Sequence, residues 1–312
     1  MAGVTLPGPD NALDRIADVL RSTGQYRVLA RFRPREQYAE DGGQPKVRAL
    51  FADVETTGLD VEQDRIIQLA LVPFEYAAED GAIVRVHEPW VGFEDPGRPV
   101  PAEITALTGI RDADVAGRCL DDAAVAAHAA SAGLVVAHNA AFDRPFLERR
   151  FAAFADRPWA CSMAEVPWAA SGFSSAKLEF LLWKSCGEFF DGHRADEDCR
   201  AGVHLLATPL PSGELPMSAL LRSCRRRTAR VWAADAPFRH KDALRARGYR
   251  WSGGERGRLR GWYLDADEAA AAAECRWLEE RIYGGRPGWD RQTYGARVRY
   301  SDRVWAVPLD PR

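Results

Sequence analysis

The chain has 312 residues, of which 46% are hydrophobic and 28% are charged. This composition is typical of a globular protein with one large domain and one or two small ones. No run approaches the ~18 apolar residues that a membrane-spanning helix needs, and the first residues lack the basic and apolar regions of a secretory signal. We therefore expect a cytoplasmic protein that does not enter a membrane. The six cysteines form no CxxC pair, which predicts free thiols in a reducing compartment.

The net charge of −3 conceals an asymmetry along the chain. Residues 1–212 carry 21 Lys and Arg against 32 Asp and Glu, a net charge of −11, whereas residues 213–312 carry 21 against 13, a net charge of +8. The second segment also holds six of the ten tryptophans and five of the eight tyrosines. A basic, aromatic segment beside an acidic body predicts a nucleic-acid-binding appendage. The acidic body would repel nucleic acid unless its carboxylates hold cations.

The elements predicted for residues 1–208 form an extension and an α/β domain. In residues 1–45, the pattern predicts a helix at about 11–22 and a strand near 26–32, followed by a polar linker. From residue 46, β-branched runs predict strands at 47–55, 66–76, 81–91 and 133–140, and periodic runs predict helices at 121–130, 142–154, 175–187 and 195–208. Three strands followed by alternating helices and strands predict a mixed central sheet with flanking helices.

The C-terminal third predicts a small α+β domain behind a Pro/Gly/Ser-containing linker. We expect a basic helix at 218–230, a short helix at 240–247, two strands around a Gly-rich loop, and an Ala-rich helix at 267–284. The sequence thus divides into an extension (1–45), an α/β domain (46–208), a linker (209–215) and a basic, aromatic-rich domain (216–312).

Two carboxylates stand two residues apart in the first strand of the α/β domain. Asp53 and Glu55, in FADVETTGLD, point to the same side of the strand because side chains alternate. Two close carboxylates repel each other, and a divalent cation removes that cost. Oxygen ligands alone suit Mg²⁺ or Mn²⁺. A strand end with two solvated acids is the alternative interpretation.

A second polar group follows the predicted strand at 133–140. His138 and Asn139 stand at the strand end, and Asp143 opens the next helix in AHNAAFDRPFL. An acid there is often only a helix cap. His138 and Asn139 are candidates for orienting a phosphate or for ordering the loop.

A third group lies in GHRADEDCRAG, residues 192–202. In a helix that starts near Asp196, Asp198 lies beside the apolar stripe and is the acid expected to face inward. Asp196 is placed to pair with Arg200 at the surface, and Glu197 is predicted to be a bystander. His193 precedes the helix in a loop that can reach the same site.

Together the three groups resemble the DEDDh branch of the 3′–5′ exonuclease superfamily, the group of the proofreading epsilon subunit of bacterial replicative DNA polymerase. The matching residues are Asp53 and Glu55 in DVETTGL, Asp143 in HNAAFD, and His193 with Asp198 in HRADED. The segments EITALTGI (103–110) and KLEFLL (177–182) also resemble that family, and the resemblance covers about residues 46–208. It implies an RNase H-like fold and an active metal-dependent nuclease.

The resemblance also implies a role for each residue in a two-metal mechanism, with two Mg²⁺ or Mn²⁺ ions about 4 Å apart. Asp53 would bridge both ions, Glu55 and Asp198 would complete the first site, and Asp143 would support the second. His193 would accept the proton of the attacking water. Leu59 would act as a wedge against the terminal base, and the residues implied to hold the 3′-terminal nucleotide are Val54, Thr56, Thr57, Gly58, Leu59 and Phe142.

The basic domain supplies candidate nucleic-acid contacts in residues 235–265. The candidates for phosphate contacts are Arg245, Arg247, Arg250, Arg256, Arg258 and Arg260, and those for stacking on bases are Trp251, Trp262 and Tyr263. The alternative is that the aromatic residues form the core of the domain and the arginines are only solvated.

Three functions remain open on the sequence. We expect a 3′–5′ exonuclease that acts on DNA in proofreading, repair or end trimming, either alone or in a polymerase or repair complex. An exoribonuclease of the same fold is the second hypothesis, because contacts to the sugar 2′ position cannot be read from these motifs. The third is a nucleic-acid-binding or assembly protein without catalysis, which the complete set of five residues disfavours.

Overall fold

The computed structural model describes residues 12–255 and 258–311. The first predicted helical residue, Asn11, and the candidate contact Arg256 therefore lie outside the described residues. The elements up to residue 207 are, in chain order, α1 (Ala12–Ser22), β1 (Ala30–Arg31), β2 (Lys46–Thr56), β3 (Ile66–Ala77), β4 (Ile83–Val86), β5 (Trp90–Phe93), α2 (Ala102–Thr108), α3 (Asp112–Val115), α4 (Asp122–Ser131), β6 (Leu134–Ala137), α5 (Ala140–Arg150), β7 (Trp159–Cys161), α6 (Leu178–Cys186), β8 (Glu188–Phe189) and α7 (Ala195–Ala207).

The remaining elements belong to the C-terminal third. They are α8 (Pro216–Arg225), β9 (Thr228–Ala233), α9 (Lys241–Ala246), β10 (Arg250–Gly253), β11 (Arg260–Asp267), α10 (Glu268–Arg281) and β12 (Trp289–Tyr294). Within the described residues, no helix has both the length and the apolar character needed to span a membrane. All six cysteines are described and are free, which confirms the prediction of free thiols.

A mixed sheet with strand order β4-β3-β2-β6-β7 forms the centre of the large domain. Strand β2 pairs antiparallel with β3 and parallel with β6, and β7 continues the parallel part. This arrangement confirms the predicted α/β fold with a mixed central sheet and flanking helices. The sheet is long in its antiparallel part because β2 and β3 pair over almost their whole length.

The two faces of the sheet follow the alternation of side chains along β2. Ala49 and Phe51 lie in one core with residues of α6, α7 and α8. Leu50 and Ala52, between and after them, lie in another core with residues of α4 and α5. A Cβ atom on Gly202 of α7 would collide with the Phe51 ring, so α7 lies against β2 at a distance that only glycine permits.

The single strand predicted for residues 81–91 is wrong. The structure has two strands, β4 and β5, separated by residues 87–89, and both pair antiparallel with β3. Pro89 lies in the break, and proline cannot donate a hydrogen bond to a sheet ladder. Because β3 is 12 residues long, it offers an edge to both short strands.

The N-terminal extension adds a short strand to the large domain. Residues Ala30 and Arg31 pair parallel with Glu188 and Phe189, so the strand predicted near 26–32 is present but only two residues long. Helix α1 begins at Ala12 and buries no side chain.

The C-terminal third forms a second sheet, β10-β11-β9-β12, in which all pairs are antiparallel. The helix predicted at 218–230 is wrong beyond Arg225, because residues 228–233 form the central strand β9. Helix α8 buries Met217 and Leu220 in the core of the large domain, and the first strand of the second sheet is β9. Its own core joins Val231, Leu244 and Leu278, among others.

Candidate active site

Strand β2 carries the first two candidate acids on the face that meets α7. Asp53 and Glu55 continue the row of Ala49 and Phe51, since alternate residues of a strand point to the same side. Both acids are partly buried. The tight contact between Phe51 and Gly202 therefore fixes how far α7 stands from the two carboxylates.

Helix α7 brings Asp198 to the same place. One ligand oxygen from each of Asp53, Glu55 and Asp198 lies within 4.8 Å of the other two. Asp198 Oδ2 also accepts a hydrogen bond from the Arg194 backbone N–H at 3.0 Å, which ties the start of the helix to the carboxylate. The inward orientation predicted for Asp198 agrees with this geometry.

The predicted surface pair between Asp196 and Arg200 is replaced by another pair. Arg200 Nη2 lies 3.0 Å from Glu88 Oε2. Glu88 belongs to the break between β4 and β5, where the sequence pattern predicted a continuous strand. The ion pair thus depends on a turn that helical spacing could not reveal.

Helix α5 supplies the fourth acid. Asp143 is only 2% exposed, and its Oδ1 accepts a hydrogen bond from the Val54 backbone N–H at 3.2 Å. Asn139, before the helix, has a φ of 89°, a left-handed conformation that asparagine tolerates better than most residues. The side chain of Asp143 therefore acts as a bridge from α5 to β2 rather than as a cap of its own helix.

Burial raises the pKa of all four carboxyl groups, and neighbouring charges add to the effect. Burial, aided by the charges of Asp143, Asp198 and Glu55, raises the pKa of Asp53 well above its usual range. Burial is also the largest cause at the other three, raising the pKa of Glu55 to about 7, that of Asp143 to about 8 and that of Asp198 to about 7. A set of crowded oxygen ligands that resists ionisation fits a site for hard divalent cations such as Mg²⁺ or Mn²⁺.

A cleft of about 310 Å³ opens over these acids. Its lining includes all five matching residues and also Val54, Thr56, Gly58, Leu59, His138, Asn139 and Phe142. The rim carries two exposed leucines, Leu59 (84% exposed) and Leu107 (51% exposed). Four lining residues were not predicted as part of the site, although three of them lie in EITALTGI and one in KLEFLL: Ile104, Leu107, Thr108 and Leu178.

His193 stands at the cleft on an exposed loop. Its φ of 67° lies in the left-handed region, which is uncommon for residues other than glycine and is found at functional sites. The neighbouring Arg194 N–H bond to Asp198 holds this turn. His193 is thus exposed and lines the cleft together with Asp198.

His138 has a different environment. Its Nδ1 lies 2.9 Å from Ser162 Oγ and its Nε2 lies 2.8 Å from the Ala176 carbonyl oxygen. Burial lowers the pKa of His138 to about 4, so the ring is neutral at pH 7. Of the two roles considered for His138, these contacts support ordering of the loops around the cleft rather than binding of a phosphate.

Thr57 is buried in the loop beneath Leu59. Its hydroxyl donates to Asp64 Oδ1 at 2.9 Å and accepts from Arg98 Nη2 at 2.7 Å. Asp64 Oδ2 accepts from the Asp60 N–H at 2.9 Å. A Cβ atom on Gly58 would lie 2.7 Å from the Asp64 carboxyl carbon. The side chain of Thr57 thus holds the loop that presents Leu59, and Gly58 leaves room for the Asp64 carboxylate in its present position.

Three candidate arginines of the C-terminal domain are paired with acids. Arg247 lies 2.7 Å from Glu274, Arg250 lies 2.8 Å from Asp265, and Arg258 lies 2.8 Å from Asp302, measured between the nearest side-chain atoms. Each pair neutralises a charge that was predicted to be available for phosphate.

The remaining candidates of this domain differ in exposure. Trp262 is only 8% exposed and belongs to the core, whereas Trp251 is 50% exposed. Arg245 and Arg260 are exposed, and the Arg260 guanidinium lies 5.8 Å from the Trp251 ring centre. Tyr263 packs against Trp305 and Trp232. The aromatic residues therefore divide between the core and one exposed position.

A second group of possible metal ligands lies beneath the N-terminal extension. Single ligand atoms of Cys186, Glu188 and His204 lie within 4.8 Å of one another. His204 Nδ1 lies 3.1 Å from the Tyr38 hydroxyl and His204 Nε2 lies 3.3 Å from Glu188. The positive charge of Arg35 acts on Glu188 and His204 and opposes a cation there. This group is best explained as the attachment of the extension.

Comparison with known proteins identifies the class to which this geometry belongs. The model of the exonuclease family RNase_T matches residues 50–206. This is half of the chain, and it includes Asp53, Glu55, Asp143, His193 and Asp198. The chain belongs to this exonuclease family, which confirms the resemblance at the level of the family.

Two curated relatives are DNA polymerase III proteins. A PolC-type DNA polymerase III of Halalkalibacterium halodurans is 32% identical over 160 residues, which cover 49% of this chain and 11% of that protein. The DNA polymerase III subunit epsilon of Treponema pallidum is 27% identical over 164 residues, which cover 50% of this chain and 73% of the subunit. The chain thus matches about a tenth of the length of this PolC-type relative.

Among solved structures, the chain is similar to exonucleases. Exonuclease X in complex with 5′ overhanging duplex DNA shares 27% identity at a TM-score of 0.36, and the match covers 50% of this chain and 88% of that one. E. coli Exonuclease I in complex with a dA16 oligonucleotide shares 17% identity at a TM-score of 0.46, with 70% and 63% covered.

Replacement of Asp143 by Asn is expected to stabilise the metal-free protein at pH 8. Because the folded-state pKa of about 8 exceeds the unfolded value of roughly 3.9, this carboxyl group lowers stability as pH rises from about 4 to about 8. Below about pH 4 it is protonated in both states and has no effect. One pKa unit corresponds to about 1.4 kcal/mol, so Asp143→Asn should gain at least about 1 kcal/mol at pH 8.

Urea unfolding in EDTA at pH 4 and pH 8 measures this gain, with Asp196→Asn on α7 as the control acid outside the cleft. Equal stability of Asp143→Asn and the unsubstituted protein at pH 8 would show that ionisation of the buried Asp143 carboxyl group does not destabilise the fold as described.

Proposed function

We propose that this protein is a divalent-metal-dependent 3′–5′ exonuclease that removes nucleotides from the 3′ end of DNA. The observation that carries the proposal is the convergence of Asp53, Glu55 and Asp198 within 4.8 Å, in a cleft that also holds Asp143 and His193. Membership of the exonuclease family supports the reaction class.

In this proposal the four acids would hold the divalent metal ions, and the ions would in turn bind the scissile phosphate. Asp53 occupies the central position, since it is flanked by Glu55 on its own strand and its pKa responds to Asp143, Asp198 and Glu55. When bound, the divalent ions supply positive charge that lowers the pKa of the attacking water and stabilises the leaving 3′ oxygen. Glu55 and Asp198 belong to one side of the cluster, and Asp143 supports the other from α5.

His193 accepts the proton of the attacking water. The role requires a ring that reaches the cleft and is open to solvent for passing the proton on, and His193 meets both conditions. The terminal nucleotide lies between the exposed apolar side chains of Leu59 and Leu107, which exclude water from the base. Phe142 and the backbone at Val54 and Thr56 complete the pocket for the 3′ end.

DNA is the substrate that we favour, since the curated relatives are named as DNA polymerase III proteins. The same names support a protein that acts beside a DNA polymerase in the cytoplasm.

Digestion of labelled single- and double-stranded DNA and RNA, in Mg²⁺ and in Mn²⁺, tests the substrate directly. Shortening of DNA from the 3′ end is the expected result. Preferential shortening of RNA would favour the exoribonuclease, and no product from any substrate would favour a binding protein.

Removal of the metal or of its ligands is expected to stop the reaction. Asp53→Ala, Asp198→Asn and addition of EDTA should each abolish DNA shortening. Each change removes either the divalent ions or a carboxylate that binds them, and the reaction needs the positive charge of these ions. His193→Ala should lower kcat by about 10²-fold or more, in the range of general-base contributions. Circular dichroism shows whether each variant is folded, and Asp196→Asn serves as the control. Full activity of folded Asp53→Ala or Asp198→Asn would contradict the assignment.

We further propose that one exposed surface of the C-terminal domain contacts nucleic acid. This surface consists of Arg245, Trp251 and Arg260. Among the described residues no acid forms an ion pair with Arg245 or Arg260, whereas Arg247 and Arg250 are paired. A half-exposed tryptophan beside cationic side chains is suited to stacking on a base next to phosphate contacts.

The double variant Arg245→Gln/Arg260→Gln should weaken binding of a single-stranded oligonucleotide. The logarithm of the binding constant falls linearly with the logarithm of the salt concentration. For a single strand, this slope becomes shallower by roughly 0.7 for every phosphate that the protein no longer neutralises. Fluorescence anisotropy at several salt concentrations, in an Asp53→Ala background that prevents digestion, gives the slope. The double variant Arg247→Gln/Arg250→Gln, with the same change in charge, is the matched control. Equal effects of the two pairs would indicate a general reduction of positive charge rather than this surface.

A further inference from the structure

Arg144, which directly follows Asp143 in α5, is a completely buried guanidinium. Its Nε donates to Glu148 Oε1 at 2.6 Å, and its Nη2 donates to the Ala155 carbonyl at 3.3 Å. The other hydrogen bonds go to carbonyl oxygens far along the chain. Nη1 donates to Ala296 at 2.9 Å and to Arg299 at 2.6 Å, and Nη2 donates to Arg297 at 2.6 Å.

The three distant acceptors belong to one turn, residues 295–301. Within the turn, Val298 N–H and Arg299 N–H both donate to the Gly295 carbonyl at 2.9 Å. Three carbonyl oxygens of one turn accept from a single guanidinium, an arrangement that a charged donor with a planar fork satisfies well. The turn follows β12, so the C-terminal segment contributes directly to the environment of α5.

The 295–301 turn is also attached to the large domain by other contacts. The Trp159 N–H of β7 donates to the Ala296 carbonyl at 3.0 Å. Arg299 Nη1 and the Tyr300 hydroxyl contact Glu165 at 2.6 and 3.0 Å. These bonds fix the turn relative to the central sheet. Because Arg144 of α5 donates to three carbonyls of the turn, α5 is held relative to the sheet as well.

Helix α5 needs such an outside anchor. Its N-cap residue, Asn139, makes no side-chain capping hydrogen bond. Pro145 lies inside the helix and lacks the N–H that would bond four residues back, to Ala141. The turn that carries Asp143 therefore has fewer hydrogen bonds of its own than a regular helix.

We propose that the 295–301 turn, acting through Arg144, positions Asp143 for metal binding. Arg144 is a positioning residue: its side chain is completely buried and does not line the cleft. The C-terminal segment then has a part in the reaction that is separate from its contact with nucleic acid. This inference rests on the proposed function, in which Asp143 supports one side of the metal cluster.

The size of the effect follows from the behaviour of residues that orient metal ligands. Removal of such a partner typically costs 10- to 100-fold in metal affinity or activity. A buried guanidinium that loses its hydrogen-bond acceptors also destabilises the folded protein. The turn therefore stabilises the position of Arg144, and Arg144 stabilises the position of the turn.

The experiment compares Arg144→Met with Arg299→Met in the full chain. Arg299 is a second buried arginine, in the turn itself, and its backbone carbonyl remains available to Arg144 when its side chain changes. Arg144→Met should lower kcat and weaken Mn²⁺ binding by about 10- to 100-fold, with the KM for the oligonucleotide close to that of the unsubstituted protein. Arg299→Met removes one attachment of the turn but leaves the three carbonyl acceptors of Arg144 in place, so it should lower the melting temperature and weaken Mn²⁺ binding by less than Arg144→Met does.

Arg144→Lys provides a milder test if Arg144→Met does not fold, since it keeps the charge but removes the planar fork; the same effect in smaller measure is expected. Unchanged Mn²⁺ affinity in a folded Arg144 variant, or an equal decrease in Arg299→Met, would overturn the proposal. Mn²⁺ binding is followed by electron paramagnetic resonance without nucleic acid. An unsubstituted protein that binds Mn²⁺ but digests nothing would therefore overturn the proposed function, while the Mn²⁺ affinities still decide the role of Arg144.

Discussion

The burial of four acids in one cleft is the constraint on which the active site depends. Asp53 and Glu55 come from β2, Asp143 from α5 and Asp198 from α7, and each has a raised pKa. Such a cluster persists without cations only if the scaffold holds it. The close packing of α7 on β2 and the bond from Val54 to Asp143 are the contacts that do so.

Two simple periodicities place three of the four acids of the cleft, and the family resemblance supplied Asp143, His193 and the residues implied to hold the nucleotide. Alternation along β2 puts Asp53 and Glu55 on one face, and helical phase separates Asp198 from Asp196. Contacts between distant segments were not predictable. Arg200 pairs with Glu88 across a break in a strand, and His138 is engaged by Ser162 and Ala176.

In the C-terminal third, even more of the contacts between distant segments could not be predicted from the sequence. Its composition predicted a basic, aromatic domain, and the Ala-rich helix and the two strands around the Gly-rich loop are present. Composition could not show that Arg247, Arg250 and Arg258 are paired with acids. Nor could it show that Arg144 is buried beneath the 295–301 turn, since its partners lie about 150 residues away. Composition alone does not reveal which arginines are paired with acids, because the pairing depends on contacts between distant segments.

A crystal structure with Mn²⁺ and a phosphorothioate oligonucleotide, recorded at the manganese absorption edge, is the decisive measurement for the proposed metal site. We expect anomalous density for Mn²⁺ between Asp53, Glu55 and Asp198, further density on the side of Asp143, and the 3′ end of the strand between Leu59 and Leu107. Manganese density outside the cleft, or a 3′ end bound elsewhere on the protein, would show that the four acids do not form the catalytic centre.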